Sequence, residues 1–176
     1  IDLEAGSTWS PMLKSLEIQP PAGMMSRAGL MISAWAIGRH AEHGPYRELA
    51  RTLSTSLSRK AVGKDDSYDL IAGSAGYLLL LLRMHSEEAL PGMEDSVARL
   101  ADHLVANVHD VDGLGWTRSL TSLPLCGLGH GRAGIGLALL EAGRFLGRDD
   151  LHSVGLQALE AEHRHRDRKS TRLNSS

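Results

Sequence analysis

Residues 125–146, LCGLGHGRAGIGLALLEAGRFL, constrain the fold more than any other stretch of the chain. They open as a glycine-rich loop around His130. They then pass without a break into a run that is apolar on nearly every side, from Ala133 through Ile135, Leu139 and Phe145 to Leu146. A helix apolar all round belongs in the interior of a protein. The loop glycines allow positive φ and close approach of the backbone to its neighbours. The sequence therefore predicts one titratable ring on a tight loop at the mouth of a buried helix.

Weaker copies of the pattern occur twice upstream. Ser26-Arg27-Ala28-Gly29-Leu30 precedes the apolar run 31–37, and Gly73-Ser74-Ala75-Gly76-Tyr77 precedes 78–82. The third copy is Gly131-Arg132-Ala133-Gly134-Ile135. The shared glycines lie roughly 50 residues apart, a period typical of helical repeats. Between the copies lie amphipathic segments. Tyr46, Leu49, Ala50, Leu53 and Leu57 share one face; Met93, Val97, Leu100, Leu104 and Val108 share another; Leu151, Val154, Ala158 and Leu159 follow a third. Pro45 suits a helix start, and Asp149 an N-cap. Residues 60–67 read as a polar connection, and 110–124 as a longer loop with room for a short hairpin. About six helices, alternately all-apolar and amphipathic, make this an all-α chain built as part of a double layer.

Composition narrows the function. Only seven residues are aromatic, which suits closely packed helices. From Arg164 onward there are five basic residues and one acidic residue, and without them 14 basic side chains face 20 acidic ones. A body that acidic is a poor nucleic-acid binder. The longest strongly apolar run, residues 77–82, falls far short of the ~20 residues a bilayer helix needs. A single cysteine, Cys126, makes no internal disulfide, and a cytoplasmic location is expected. P-loop, G-x-S-x-G and dinucleotide fingerprints are absent from the sequence. Asp65-Asp66 and Asp149-Asp150 lack the third aspartate of a terpene-cyclase metal motif. In domain terms, 1–23 reads as a lead-in with Pro20-Pro21, 24–165 as the domain, and 166–176 (RDRKSTRLNSS) as a non-native read-through tail. The native domain is expected to be truncated at both ends.

GLGHGRAGIGLALL and YDLIAGSAG resemble the signature repeats of the lanthionine synthetase C-like family. The first is similar to its G-x-x-H-G-x-x-G-I repeat and the second to the preceding D-x-x-x-G-x-x-G repeat. LPLCGLGHG (123–131), and Ala158-Leu159 followed by Glu160-Ala161-Glu162, look most like the cyclase domains of class II lanthipeptide synthetases. The resemblance spans roughly 24–163. It implies an α/α toroid, of which three hairpins would form part. It also implies zinc-dependent addition of a substrate cysteine thiolate to dehydroalanine or dehydrobutyrine, giving lanthionine thioether rings in an antibiotic-type peptide. The implied partners are a dehydrated precursor peptide and, for class II, a fused upstream dehydratase. The family's zinc is held by two cysteines and a histidine downstream of the His-Gly repeat, and this chain has no such set. Taken alone, it is expected to be inactive. The alternatives are a LanC-like protein that binds a peptide or thiol without catalysis, and a plain helical repeat scaffold.

Two residues are the candidate catalytic groups. On spacing alone, His130 is either a loop histidine satisfied locally or an acid/base at a cavity mouth. The resemblance implies that it handles the proton at the enolate carbon. Asp69 is either the N-cap of the helix after it or, as the resemblance implies, an acid that orients or charges His130. Arg132 is a weak candidate for substrate binding, against the reading of a solvated arginine. Cys126 sits four residues before His130 but lacks further ligands for a metal, and reads as a small buried filler. His163 and His165 are expected to be solvated.

Overall fold

The structure is a computed structural model, and it describes residues 27–110, 113–117 and 123–173, with side chains to 167. The lead-in 1–23, residues 24–26 of the expected first helix and residues 174–176 of the expected tail lie outside the described residues. Seven helices and one small hairpin follow in order: α1 (Arg27–His40), α2 (Gly44–Thr55), α3 (Arg59–Val62), α4 (Ser74–Glu87), α5 (Glu94–Ala106), β1 (His109–Asp110), β2 (Leu114–Gly115), α6 (Arg132–Leu146) and α7 (Asp149–Leu173). The described chain is all-α apart from this two-residue antiparallel ladder, which pairs His109 with Gly115 and Asp110 with Leu114.

Each all-apolar helix packs on the amphipathic helix that follows it: α1 on α2, α4 on α5, α6 on α7. The apolar helices also touch one another in the order α1, α4, α6, while α2 and α7 both touch α5. Three hairpins thus stand side by side in two layers. The stripes read from the sequence face inward: Leu49, Leu53 and Leu57 from α2 and its end, Val97, Leu100 and Leu104 from α5, and Leu151 and Ala158 from α7 are buried. Boundaries follow local chemistry. Pro45 sits in the first turn of α2, where its missing N–H costs no helical bond. Gly147 ends α6 in the left-handed conformation at φ 65°.

Two details depart from the sequence reading. Residues 59–62, placed in or beside a polar connection, form the short helix α3, capped by the Ser58 side chain accepting from the Ala61 N–H. α5 begins at Glu94 rather than Pro91, with Glu94 and Asp95 facing the positive end of the helix dipole. α7 runs across the 165/166 boundary without interruption.

The first hairpin is locked by a buried cation. Arg27, at the start of α1, is fully buried. Its Nε donates to the Tyr77 hydroxyl (3.2 Å), and its Nη2 donates to the Leu53 carbonyl (3.2 Å) and Ser56 Oγ (2.6 Å). The Tyr77 hydroxyl in turn donates to the Leu53 carbonyl at 2.7 Å. Burial pushes the Tyr77 hydroxyl above the usual phenol range, opposed by the Arg27 charge. The protonated phenol is therefore favoured in the folded state. The unfolded chain releases this proton above about pH 10, so stability is intact below that value and declines as pH rises past it. Tyr77→Phe is expected to cost about 1 kcal/mol at neutral pH and to flatten the alkaline limb. Urea titrations between pH 7 and 11 check both effects, and an unaltered alkaline limb in the variant would assign it to other groups.

Candidate active-site cleft

The loops that lead into α4 and α6 are built alike. A Cβ on Gly76 would lie 2.0 Å from the Leu70 carbonyl oxygen, and a Cβ on Gly134 would lie 1.9 Å from the Leu128 carbonyl oxygen. In each loop the second repeat glycine packs under a carbonyl six residues earlier. Only hydrogen fits there, which is the physical content of the repeated Ala-Gly. The matched loops lie against each other, with the Leu70 N–H donating to the Gly129 carbonyl at 3.1 Å. This pairing brings together side chains 61 residues apart in sequence. His130 Nδ1 and Asp69 Oδ2 are 2.9 Å apart.

The two partners are anchored very differently. Asp69 is buried, only 7% exposed. Its Oδ1 accepts from the N–H groups of Ile71 (2.9 Å) and Ala72 (2.7 Å), leaving Oδ2 aimed at the imidazole. His130 keeps 59% of its side chain exposed. A carboxylate is an acceptor only, so in the neutral ring Nδ1 carries the hydrogen and Nε2 presents a lone pair to the cleft. Asp69 therefore orients the ring, and the other nitrogen is left on the cleft side. Asp69 does not cap α4. The N-cap is Gly73, and the Ser74 N–H at the helix start donates instead to Asp65 Oδ2 (2.7 Å). The cap reading of Asp69 is corrected to a clamp on the turn at 70–72.

His130 opens on a cleft of about 460 Å³ lined by Tyr68, Asp69, Trp116, Leu123, Leu125 and Ile135, with Asp66, Ser67 and Thr117 also on its walls. Trp116 is held by its indole N–H donating to the Leu104 carbonyl at 2.7 Å. Leu123 and Leu125 are exposed, and so are Ile71 and Leu128 on the same two loops. Of these, Leu123 and Leu125 line the cleft.

Arg132 is not part of this arrangement. It is 2% exposed, and its Nε lies 3.8 Å from where a Gly115 Cβ would stand. It does not line the cleft. The solvated reading is overturned by burial, and the position suits packing rather than substrate contact. The first repeat carries an arginine at the matching position, Arg27, and that one is buried too. Cys126 is half-buried. Among the described residues no group of three or more His, Cys, Asp or Glu side chains is placed to hold a metal ion. The two-cysteine donor set implied by the family does not fit a chain with one cysteine. His163 lies exposed on α7, with Nε2 3.4 Å from Asp167 Oδ2.

Spacing rules missed three residues that shape the site. Asp65 ties down the loop before α4, His103 reaches that loop from α5, and Glu162 on α7 accepts from the Gly127 N–H at 2.9 Å. Glu162 thereby holds the start of the His130 loop, where Gly127 takes φ 95°. Each makes at least one bond to a backbone group nine or more residues away, and no short motif encodes that.

Paired layers of helical hairpins, with a carboxylate-oriented histidine at a cleft of mixed polar and apolar lining, define a helical-repeat protein. A family model described as lanthionine synthetase C-like protein matches residues 27–173. The chain belongs to that family. Among curated proteins and among solved structures, none matches it. Among the described residues no helix is long and apolar enough to cross a membrane.

Proposed function

We propose that this chain is a LanC-like peptide-binding domain that holds a segment of a dehydrated precursor peptide in the cleft beside His130, without metal chemistry of its own. The observation that carries this reading is the cleft itself: exposed Leu123 and Leu125, with Trp116 and Ile135, line it beside one oriented imidazole, in a chain with a single cysteine. The apolar walls suit peptide side chains, and His130 Nε2 suits a hydrogen bond to the peptide.

A second reading is favoured by the 2.9 Å Asp69–His130 contact, which is more than a binding surface needs. In this reading the chain supplies one wall of a lanthionine cyclase. His130 Nε2 takes the proton of the substrate thiol, the resulting thiolate adds to Cβ of dehydroalanine or dehydrobutyrine, the C=C electron pair moves into the enolate, and the imidazolium returns that proton to Cα. Asp69 holds the imidazolium formed before that transfer. LPLCGLGHG supports placing the chain within a class II synthetase that carries an upstream dehydratase, further hairpins completing an α/α toroid and zinc held by residues outside this chain. A cytoplasmic location accords with that setting.

The test uses a fluorescent precursor peptide in two forms, dehydrated and undehydrated. Anisotropy gives Kd, and thiol alkylation followed by mass spectrometry counts the rings formed. Binding of the dehydrated form without loss of free thiol supports the first reading, and ring formation supports the second. Leu125→Asp is expected to weaken binding about tenfold, since about 1.4 kcal/mol corresponds to that factor. If neither peptide binds, both readings fail and the helical scaffold remains.

A further inference from the structure

We infer that Asp65 is a positioning residue of the His130 site, setting the aim of Asp69 through the backbone of Tyr68. The inference rests on the proposed role of the pair, but its test reads the pair directly.

Asp65 is 5% exposed and uses both carboxylate oxygens on backbone N–H groups. Oδ1 faces Ser67 (3.0 Å) and Tyr68 (3.4 Å), and Oδ2 accepts from Ser74 at the start of α4 (2.7 Å). These contacts draw residues 65–68 over the end of α4 as a closed loop. Tyr68 within it has φ 61°, the left-handed region, which is costly for an aromatic side chain and persists only where its surroundings impose it. Two contacts impose it here: its N–H faces Asp65 Oδ1, and its carbonyl accepts from Ala75 at 3.0 Å. Tyr68 immediately precedes Asp69, so its φ and ψ determine where the Asp69 carboxylate points. Asp69 then spends its own carbonyl on Gly73 (3.1 Å) and Gly76 (3.2 Å), leaving the side chain free to meet His130.

A second element braces the same loop. His103 on α5 places Nε2 2.9 Å from the Asp65 carbonyl oxygen. The Asn107 amide nitrogen is 3.3 Å from His103 Nδ1, which fits Nδ1 as acceptor and Nε2–H as donor. The same imidazole stacks near Tyr68, with ring centroids 5.6 Å apart. The brace thus runs from α5 through Asp65 and Tyr68 to Asp69 and ends at the catalytic-type histidine. Neither Asp65 nor His103 lines the cleft, so Asp65 acts through the residues that do.

Asn is the discriminating replacement. Its amide offers one acceptor oxygen, so at Asp65→Asn one side of the group turns an NH₂ toward a backbone N–H, donor against donor. The loop closure and the left-handed Tyr68 lose their support at near-constant volume. The readout is the tautomer of His130, taken from ¹⁵N shifts of histidine-labelled protein at a pH where the ring is neutral, assigned by difference with His130→Ala. The parent protein is expected to show mainly Nδ1–H at His130. Folded Asp65→Asn is expected to lose that majority to the Nε2–H form that free histidine prefers, and to bind dehydrated peptide about tenfold more weakly. Retention of Nδ1–H in a folded Asp65→Asn protein overturns the inference and leaves Asp65 as a helix cap. If Asp65→Asn does not fold, His103→Phe decides: it keeps an aromatic ring beside Tyr68 and removes the hydrogen bond to the Asp65 carbonyl, together with the Asn107 contact on the far side of the ring. The same tautomer loss there supports the inference, and an unchanged tautomer overturns it. A tautomer shift in a protein that binds no peptide would sink the proposed function while leaving the positioning role intact.

Discussion

Alanine at Gly134 is expected to destabilise the domain by at least about 3 kcal/mol, the largest stability effect of any single methyl group at the site. The added carbon would stand 1.9 Å from the Leu128 carbonyl oxygen and 2.7 and 2.9 Å from the Leu70 side chain. The leucine can rotate away, but the carbonyl belongs to the His130 loop and moves only if that loop leaves α6. The Gly131 N-cap and the Leu70–Gly129 hydrogen bond would move with it. Gly76→Ala is expected to behave in the same way against Leu70. The control is Gly147→Ala at the end of α6, where φ is 65° and nothing lies within 4 Å of the new carbon. That change costs only the left-handed strain, about 1 kcal/mol. Urea denaturation of the three variants separates crowding from strain. A Gly134→Ala midpoint no lower than that of Gly147→Ala would show that the close approach is not what holds the loop.

The largest functional effect is expected at Asp69 and His130, measured in a full-length protein that forms rings. Asp69→Asn keeps an acceptor oxygen for the Ile71 and Ala72 N–H groups. It places an NH₂ where Oδ2 meets the imidazole. The turn survives, with a stability change expected within about 1 kcal/mol, but the ring loses its acceptor and adopts the wrong tautomer. If the pair performs the proton step, cyclisation falls by about 10²- to 10⁴-fold. His130→Ala is expected to match that loss, and the double variant to fall no further, because the two residues act as one unit. Peptide affinity is expected to change far less than the rate. Cyclisation rates unchanged in both single variants would remove the catalytic reading and leave a clamp and a loop residue. A loss of affinity alone would favour the peptide-binding reading.

The membership of this pair was legible in the sequence because two short motifs carry it. Its geometry was not. Asp69 reads as a helix cap by every local rule, since it precedes an apolar run by a few residues. The helix start instead takes its carboxylate from Asp65, nine positions before Ser74. Local rules weigh residues three or four apart, and this loop folds back on itself. Arg132 misleads for a related reason. Charge beside a candidate histidine suggests a ligand contact, yet the side chain is buried, with its Nε close to Gly115 of β2.

What the sequence by itself determined is the layered helical plan. Apolar faces with a 3.6-residue period have one low-energy use, burial against a neighbour, so α1, α4 and α6 had to be interior and α2, α5 and α7 had to cover them. The repeated glycines likewise determined that two loops would share one tight shape. What only the tertiary structure decided is which groups that shape brings into contact. Asp69 with His130, Asp65 with Ser74, His103 with Asp65 and Glu162 with Gly127 are separated by between 9 and 61 residues. A hydrogen bond is decided within a few tenths of an ångström. Hydrophobic patterning specifies a helix's face, and the packing of loop on loop supplies the remaining precision.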